Sequence, residues 1–160
     1  MDTLWAPWRM KYIKTVNKAG CFLCATARSR ADKKNLILYR GKKAFCIMNK
    51  YPYNNGHLLI SPYSHKGDLN QLTDDEILET MKILGKMEKV LHKTVRPDGF
   101  NIGINQGRVA GAGLVGHFHI HIVPRWNGDT NFMPVCCSTK IVSQALDDLY
   151  TQLLKTMSAR

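Results

Sequence analysis

Short apolar segments in the chain alternate with turn-forming residues, as is typical of β-strands joined by hairpins. The segment 51–56, Tyr-Pro-Tyr-Asn-Asn-Gly, is dense in turn formers and separates two buried runs. Further on, apolar and polar residues alternate one by one, as in strands with one buried face. The predicted strands cover residues 36–39, 44–48, 57–61, 100–104 and 117–123, the last ended by Pro124.

Two segments have the apolar spacing of amphipathic helices. Thr73 and Glu76 form a capping-box pattern, and the apolar residues that follow predict a long helix that ends before Pro97. A second helix is predicted over about 140–157. Strands, helix, strands and helix in this order predict an α+β fold: an antiparallel sheet with one long central helix and a C-terminal helix.

Composition and charge narrow the class of protein. The 160 residues are 44% hydrophobic and 22% charged, which is ordinary for a globular protein. No apolar run approaches the roughly 20 residues of a membrane span, and the first residues do not have the pattern of a secretory signal, so we expect a cytoplasmic protein. The 23 Lys and Arg against 12 Asp and Glu give a net charge of +11, so the surface should attract polyanions. These charges are scattered, which favours a solvated basic surface over a nucleic-acid stripe.

Five cysteines are an odd number and argue against a disulfide framework. Cys21 and Cys24 have the spacing of half a zinc site. Two alternatives remain open from the spacing alone: a redox dithiol, for which no thioredoxin-like unit is apparent, or two unrelated buried thiols.

Three of the six histidines, His117, His119 and His121, occupy alternate positions of one predicted strand. They therefore share a face, while Phe118 and Ile120 point to the opposite, buried side. Three adjacent imidazoles would repel one another if all were protonated, so their pKa values must be low or their protons shared. A histidine nucleophile and the histidines beside it need such low pKa values or shared protons.

Two chemistries fit such a strand. Three imidazoles can bind a catalytic metal, or one can attack phosphorus while the others hold the phosphate. The glycine-rich segment 107–116, directly upstream, favours phosphate because its backbone N–H groups can form a cradle. It is not a Walker loop, since the Gly-Lys-Ser/Thr ending is missing.

Residues 117–123, His-Phe-His-Ile-His-Ile-Val, match the His-x-His-x-His-x-x signature of the histidine triad (HIT) family. The chain also resembles this family at 5–10, 49–57, 96–103 and 124–132, so the likeness covers nearly the whole sequence. It most resembles the prokaryotic branch with diadenosine tetraphosphate phosphorylases and Fhit-like dinucleoside polyphosphate hydrolases. The resemblance implies a single HIT domain over 1–160, with an aromatic and basic leader (1–35), a core (36–135) and a C-terminal helix (136–160). It also implies a homodimer with a shared sheet.

The activity implied by the resemblance is cleavage of a dinucleoside polyphosphate, with an AMP-type product. His119 would attack the α-phosphate to form a nucleotidyl-histidine, which water or inorganic phosphate resolves. His121 and the loop amides would stabilise charge on the phosphoryl oxygens. Ala112-Gly113-Leu114 lacks the Gln, Ser or Thr that many hydrolases of the family carry there, which favours the phosphorylase branch. The implied nucleotide-binding residues are Asn49 and Asn105 near the ribose or α-phosphate, with Gly111, Gly113, Leu114, His119 and His121.

The resemblance also addresses the cysteine pair. Several HIT proteins complete a Cys2His2 zinc site with two distant histidines, and the matching positions here are His65 and His117. Zinc held by Cys21, Cys24, His65 and His117 would be structural, because four protein ligands leave no open coordination position. His57 is interpreted as a packing residue or a neighbour of the site, not as a ligand.

Other functions remain open from the sequence. The same adduct chemistry could act on nucleoside phosphoramidates or on adenylated nucleic-acid ends. A nucleotide-binding sensor would bind tightly but turn over slowly. A small zinc-stabilised nucleic-acid-binding protein would not need the ordered triad, and neither a nucleic-acid nor a membrane partner is expected.

Overall fold

The computed structural model describes residues 20–131 and 142–159, and the account below is confined to them. Within these ranges the chain has the predicted α+β architecture. The elements are α1 (Phe22–Arg28), α2 (Asp32–Asn35), β1 (Ile37–Arg40), β2 (Ala44–Met48), β3 (Leu58–Pro62), a 3-10 turn (Leu69–Gln71), α3 (Asp74–Val95), β4 (Gly99–Gly103), β5 (Ile120–Arg125) and α4 (Leu146–Ser158).

The strands form one antiparallel sheet in the order β1-β2-β3-β5-β4. Strand β5, which carries the end of the histidine motif, lies between β3 and β4. His121 is opposite Leu59 on one side and Gly103 on the other. The motif is therefore held near the middle of the sheet, where a backbone shift would disturb two neighbours.

The two faces of the sheet have different environments. Helices α3 and α4 cover one face, where Phe118, Ile120 and Ile122 join the main apolar cluster. The other face carries a smaller cluster of Leu23, Phe45, Ile47 and Leu59, which α1 contributes to. The predicted alternation along the histidine motif is confirmed, because its apolar residues pack in the core.

The long helix agrees with the capping-box prediction. The Thr73 side chain accepts the Glu76 N–H (3.3 Å), and the Glu76 carboxylate accepts the Thr73 N–H (2.8 Å). The helix ends at Val95, and Arg96 takes a left-handed conformation with φ of 47° just before Pro97. The Trp126 indole N–H donates to the carbonyls of Val95 and Arg96 and satisfies the end of the helix.

The histidine strand is shifted from its predicted limits. Ladder pairing begins at Ile120, not 117, because the Phe118 carbonyl accepts the Ser61 hydroxyl (2.7 Å) and the Phe118 N–H donates to Lys66 O (2.6 Å). The strand also continues through Pro124. Since β3 begins opposite Ile122, Pro124 has a ladder partner only in β4, and its missing N–H costs little there.

Two further predictions need correction. Strand β4 is at the edge of the sheet, and Ile102 and Ile104, predicted to face the core, are 47% and 41% exposed. Helix α4 begins at Leu146 and not near 140, since 142–145 are not helical, whereas 140 and 141 lie outside the described residues. No helix in the described ranges is long and apolar enough to cross a membrane.

Candidate active site and metal centre

A small cavity lies on the α1 face of the sheet, beside the histidine motif. Turn residues from the end of β2, strand residues from β3 and β5, and glycines from the 107–116 loop surround it. The enclosed volume is only about 20 Å³, which is room for about one water molecule. The cavity alone is therefore too small to contain a nucleotide. The lining residues are Asn49, Tyr51, Tyr53, Leu59, Gly111, Gly113, His119 and His121.

His119 is held in one orientation by the backbone. Its Nδ1–H donates to the carbonyl oxygen of His117 (2.8 Å), which leaves the Nε2 lone pair as the nucleophilic position. His119 is only 7% exposed. Burial lowers the pKa of His119, and this outweighs the opposing effect of the carbonyl contact. A neutral imidazole with a fixed tautomer is the form that can attack phosphorus.

His121 is oriented by a second histidine from the turn before β3. The Tyr53 N–H donates to Nδ1 of His57 (3.0 Å), so the His57 proton is on Nε2. That Nε2–H points at Nδ1 of His121 (2.9 Å), which must accept it. A neutral His121 then carries its own proton on Nε2. These two neighbouring histidines of the triad therefore have opposite hydrogen-bonding roles. His119 presents a lone pair, whereas His121 presents an N–H donor.

The structure brings most, but not all, of the sequence-predicted nucleotide-binding residues to the cavity. Asn105 does not line it, and Leu114 packs instead against the smaller apolar cluster. Tyr51 and Tyr53 line it and were not singled out by sequence. Their position two and four residues after Asn49, in a segment of turn formers, was the available signal. His57 is a buried neighbour of His121, consistent with its interpretation as a non-ligand.

The glycine-rich loop uses part of its hydrogen-bonding capacity internally. The Gly111 N–H donates to Arg108 O (3.0 Å) and the Ala112 N–H to Gly107 O (3.3 Å). Gly107 and Gly111 both have positive φ, near 85°, which requires residues without a Cβ. These two amides are therefore engaged within the loop, and Gly113, which lines the cavity, carries the next amide for the predicted phosphate cradle.

A second cluster lies where α1, the end of β3 and the start of the histidine motif meet. Sequence reasoning found no helix at the cysteine pair, yet Cys21 is the N-cap of α1 and its Sγ accepts the Cys24 N–H (3.4 Å). Cys21 Sγ is 3.2 Å from His117 Nδ1, and Cys24 Sγ is 3.3 Å from His65 Nδ1. The four predicted ligand atoms all lie within 4.8 Å of one another.

These distances fit a tetrahedral metal site. Two thiolates and two imidazoles around Zn²⁺ would place neighbouring ligand atoms about 3.6 Å apart. His117 is also prepared for this role, because its Nε2–H donates to Pro62 O (2.9 Å) and leaves Nδ1 to bind. A Cβ at Gly116 would lie 3.3 Å from the His65 ring, so a glycine there leaves room for that ligand. The residues present therefore fit a metal ion.

Comparison with known proteins gives consistent matches. Residues 30–128 match the HIT domain. A Mycobacterium tuberculosis protein named AP-4-A phosphorylase is 38% identical over 168 aligned positions, which cover 100% of this chain and 86% of that protein. A bis(5'-nucleosyl)-tetraphosphatase [asymmetrical] of Schizosaccharomyces pombe is 33% identical over 58% of this chain and 50% of its own length.

Among solved structures, a Zn-bound histidine triad family protein from Mycobacterium smegmatis has the same fold. Its TM-score is 0.69 at 22% identity, over 87% of this chain and 94% of that one. The match to the HIT domain spans more than half of the 160 residues, and the tuberculosis relative aligns along the whole chain. This chain belongs to the histidine triad family.

Proposed function

We propose that this protein cleaves dinucleoside polyphosphates, with diadenosine tetraphosphate as substrate, through a nucleotidyl-His119 intermediate. The observation that carries the proposal is the Nδ1–H contact from His119 to the His117 carbonyl, 2.8 Å long. It leaves Nε2 unprotonated in a ring that lines the cavity. The tuberculosis relative named AP-4-A phosphorylase supports the choice of substrate.

In the proposed first step, His119 Nε2 attacks the α-phosphorus. A P–N bond forms to AMP, the bridging P–O bond breaks, and ATP leaves with the electron pair on its terminal phosphate oxygen. His121 donates its Nε2–H to the phosphoryl oxygens as charge develops. In the second step inorganic phosphate displaces His119 to give ADP, or water displaces it to give AMP. Asn49, which lines the same cavity, would bind the ribose hydroxyls.

The cysteine and histidine cluster is proposed to hold structural zinc. The metal would supply no chemistry to the reaction, since Cys21, Cys24, His65 and His117 complete its coordination. Its contribution would be positional, because His117 carries both a ligand atom and the carbonyl that orients His119. Such a site requires that both cysteines stay reduced, which is consistent with the proposed cytoplasmic location.

A homodimer with a shared sheet is the proposed assembly. Strand β4 is an edge strand, and exposed backbone at a sheet edge is open to pairing with another strand. The exposed Ile102 and Ile104 would be covered in such a dimer. Light scattering after size-exclusion chromatography should give twice the chain mass, and Ile102→Glu should give the monomer. A monomeric wild-type protein would contradict this part of the proposal.

The products formed from diadenosine tetraphosphate test the activity. ATP plus ADP formed only when phosphate is present indicates phosphorolysis, which the apolar Ala112-Gly113-Leu114 segment favours. ATP plus AMP in water alone indicates hydrolysis, and two ADP would contradict attack at the α-phosphorus. No cleavage of any dinucleotide would overturn the proposal. In that case, turnover of adenosine phosphoramidate or of a 5'-adenylated oligonucleotide would identify one of the alternative substrates. Tight nucleotide binding without turnover would identify a sensor.

A variant pair tests the nucleophile. His119→Asn should abolish the acid-labile AMP adduct that intact-protein mass spectrometry detects. It should also lower kcat by at least about 10³-fold. His92→Asn is the matched control: His92 lies on helix α3, where it packs against Phe100 away from the cavity. If His119→Asn retains activity, the nucleophile has been misassigned.

A further inference from the structure

A groove much larger than the catalytic cavity lies beside it, between the α1–α2 connection, the turn after β2 and the start of α4. Its volume is about 1150 Å³, comparable to the largest pockets that hold small molecules. Four cationic side chains, Arg30, Lys33, Lys34 and Lys50, line it. We propose that this basic groove binds the anionic remainder of the substrate, the distal phosphates and second nucleoside of a dinucleoside polyphosphate. This inference rests on the proposed function.

The groove and the catalytic cavity are neighbours with a shared wall. Tyr51 lines both, and Lys50 in the groove directly follows Asn49 in the cavity. The cavity itself, at about 20 Å³, cannot contain a dinucleotide. A substrate whose α-phosphate meets His119 must therefore extend beyond the cavity, and the groove is an adjoining space of sufficient size. Tyr51, 53% exposed at the junction, is the side chain past which it would extend.

The charges in the groove are available to a ligand. Arg30, Lys33, Lys34 and Lys50 make no ion pair within the described ranges, whereas three other cations there, Arg40, Lys66 and Arg125, each pair with a carboxylate. One of the two acidic residues lining the groove, Asp32, is already paired with Arg40 at 2.8 Å. Among the described lining residues, only Asp147 then opposes the four cations. Unpaired positive charges around a concave space attract an anion with several charges.

Another cation near the triad strand is unsuitable for this role. Arg125, which follows Pro124 in β5, donates to Asp129 (2.6 and 2.8 Å) and to Asn101 (2.6 Å). Its guanidinium would have to break these contacts to reach a phosphate. Lys50, which makes no such contact among the described residues, is therefore the better candidate for the distal phosphates.

Two adjacent lysine pairs provide a matched test. Lys33→Gln/Lys34→Gln removes two charges from the groove. Lys42→Gln/Lys43→Gln removes two from the β1–β2 turn, which is separated from Lys50 by the length of β2, roughly 16 Å. Each variant is assayed with diadenosine tetraphosphate, with adenosine phosphoramidate, which has no distal phosphates, and with a 5'-adenylated oligonucleotide.

We expect Lys33→Gln/Lys34→Gln to raise KM for diadenosine tetraphosphate about tenfold and KM for the phosphoramidate less than about twofold. Its kcat/KM for the dinucleotide should also depend less steeply on salt. The Lys42/Lys43 variant should leave all these values near wild type. Three outcomes would each overturn the inference. The KM values for the two small substrates could change equally, the two variants could show equal changes, or the effect could be confined to the oligonucleotide.

Failure of the proposed function is separable from failure of this inference. If the wild-type protein turns over no dinucleotide, equilibrium binding of diadenosine tetraphosphate and of AMP replaces kinetics. Tighter binding of the dinucleotide, lost in Lys33→Gln/Lys34→Gln and kept in the control, would still support the groove. Equal affinity for the two nucleotides would overturn it.

Discussion

Glu76 allows a quantitative test of how the loop after β3 is fixed to the long helix. Its carboxylate accepts the Thr73 N–H at 2.8 Å and the Lys66 ammonium at 2.9 Å, and its side chain is only 10% exposed. Lys66 directly follows the candidate metal ligand His65. Glu76→Gln keeps the shape of the side chain and its capacity to accept the capping hydrogen bond, but removes the charge. The variant therefore isolates the electrostatic part of the contact.

The pKa of Glu76 gives the expected size of the effect. Burial opposes ionisation, but the Thr73 N–H and the Lys66 ammonium help to outweigh it and lower the pKa from 4.5 to about 2. At roughly 1.4 kcal/mol per pKa unit, the ionised carboxylate stabilises the fold by about 3 kcal/mol. Because the pKa is lower in the folded protein, this stabilisation is complete above about pH 4.5 and disappears as the pH falls through about 2. At pH 3 roughly 1.4 kcal/mol should remain.

Urea unfolding of metal-stripped wild type and Glu76→Gln at pH 7 and pH 3 measures this difference. We expect the variant to be less stable by about 2–3 kcal/mol at pH 7 and by less than half as much at pH 3. Asp75→Asn is the matched control, since Asp75 is exposed in the same first turn and feels the same helix dipole. An equal loss at both pH values, or an equal loss in the control, would refute the electrostatic explanation.

Three further predictions concern the metal cluster and the core. Cys24→Ser should lower the zinc content from one ion per chain to below about 0.1. The variant should melt at the same reduced temperature as chelator-treated wild type. If a chelator lowers the melting temperature of the variant further, this would argue against the four-ligand site. Ser61→Ala removes the buried donor to Phe118 O, so it should lower the free energy of unfolding measured in urea by about 1–3 kcal/mol. It should also lower kcat, because Phe118 lies within the histidine motif. Tyr150→Phe removes the hydroxyl that donates to Ile37 O (2.9 Å) and should cost about 1 kcal/mol with no change in kcat, while a change in kcat would contradict a purely structural role.

Most of the fold could be predicted from local patterns. The capping box at Thr73 and Glu76 placed the start of α3 because it is a purely local signal, and residues 44–48 form the predicted strand. The exposure of Ile102 was not predictable in this way. Alternation identifies an apolar strand face, but whether the long helix, solvent or a second subunit covers that face depends on the position of β4 in the sheet.

The candidate site was predicted less completely, for a different physical reason. The alternation of His117, His119 and His121 was sufficient to place their side chains on one face. The contribution of His57 depends on a 2.9 Å contact between residues 64 positions apart, and no local pattern encodes such a contact. The groove of Arg30, Lys33, Lys34 and Lys50 likewise exists only once α2 and the turn after β2 are brought together.

The residues around the candidate catalytic cavity lie on two kinds of backbone, and this difference affects how the sequence can diverge. His119 and His121 belong to a motif whose alternate residues fill the core, so a change in its register would displace reactive and apolar side chains together. Asn49 and Tyr51 belong to a turn outside the core, and Tyr51 is 53% exposed, so substitutions there disturb few packed neighbours. Relatives can therefore acquire a preference for a different nucleotide through substitutions in the turn, while the proposed bond-breaking chemistry stays constant.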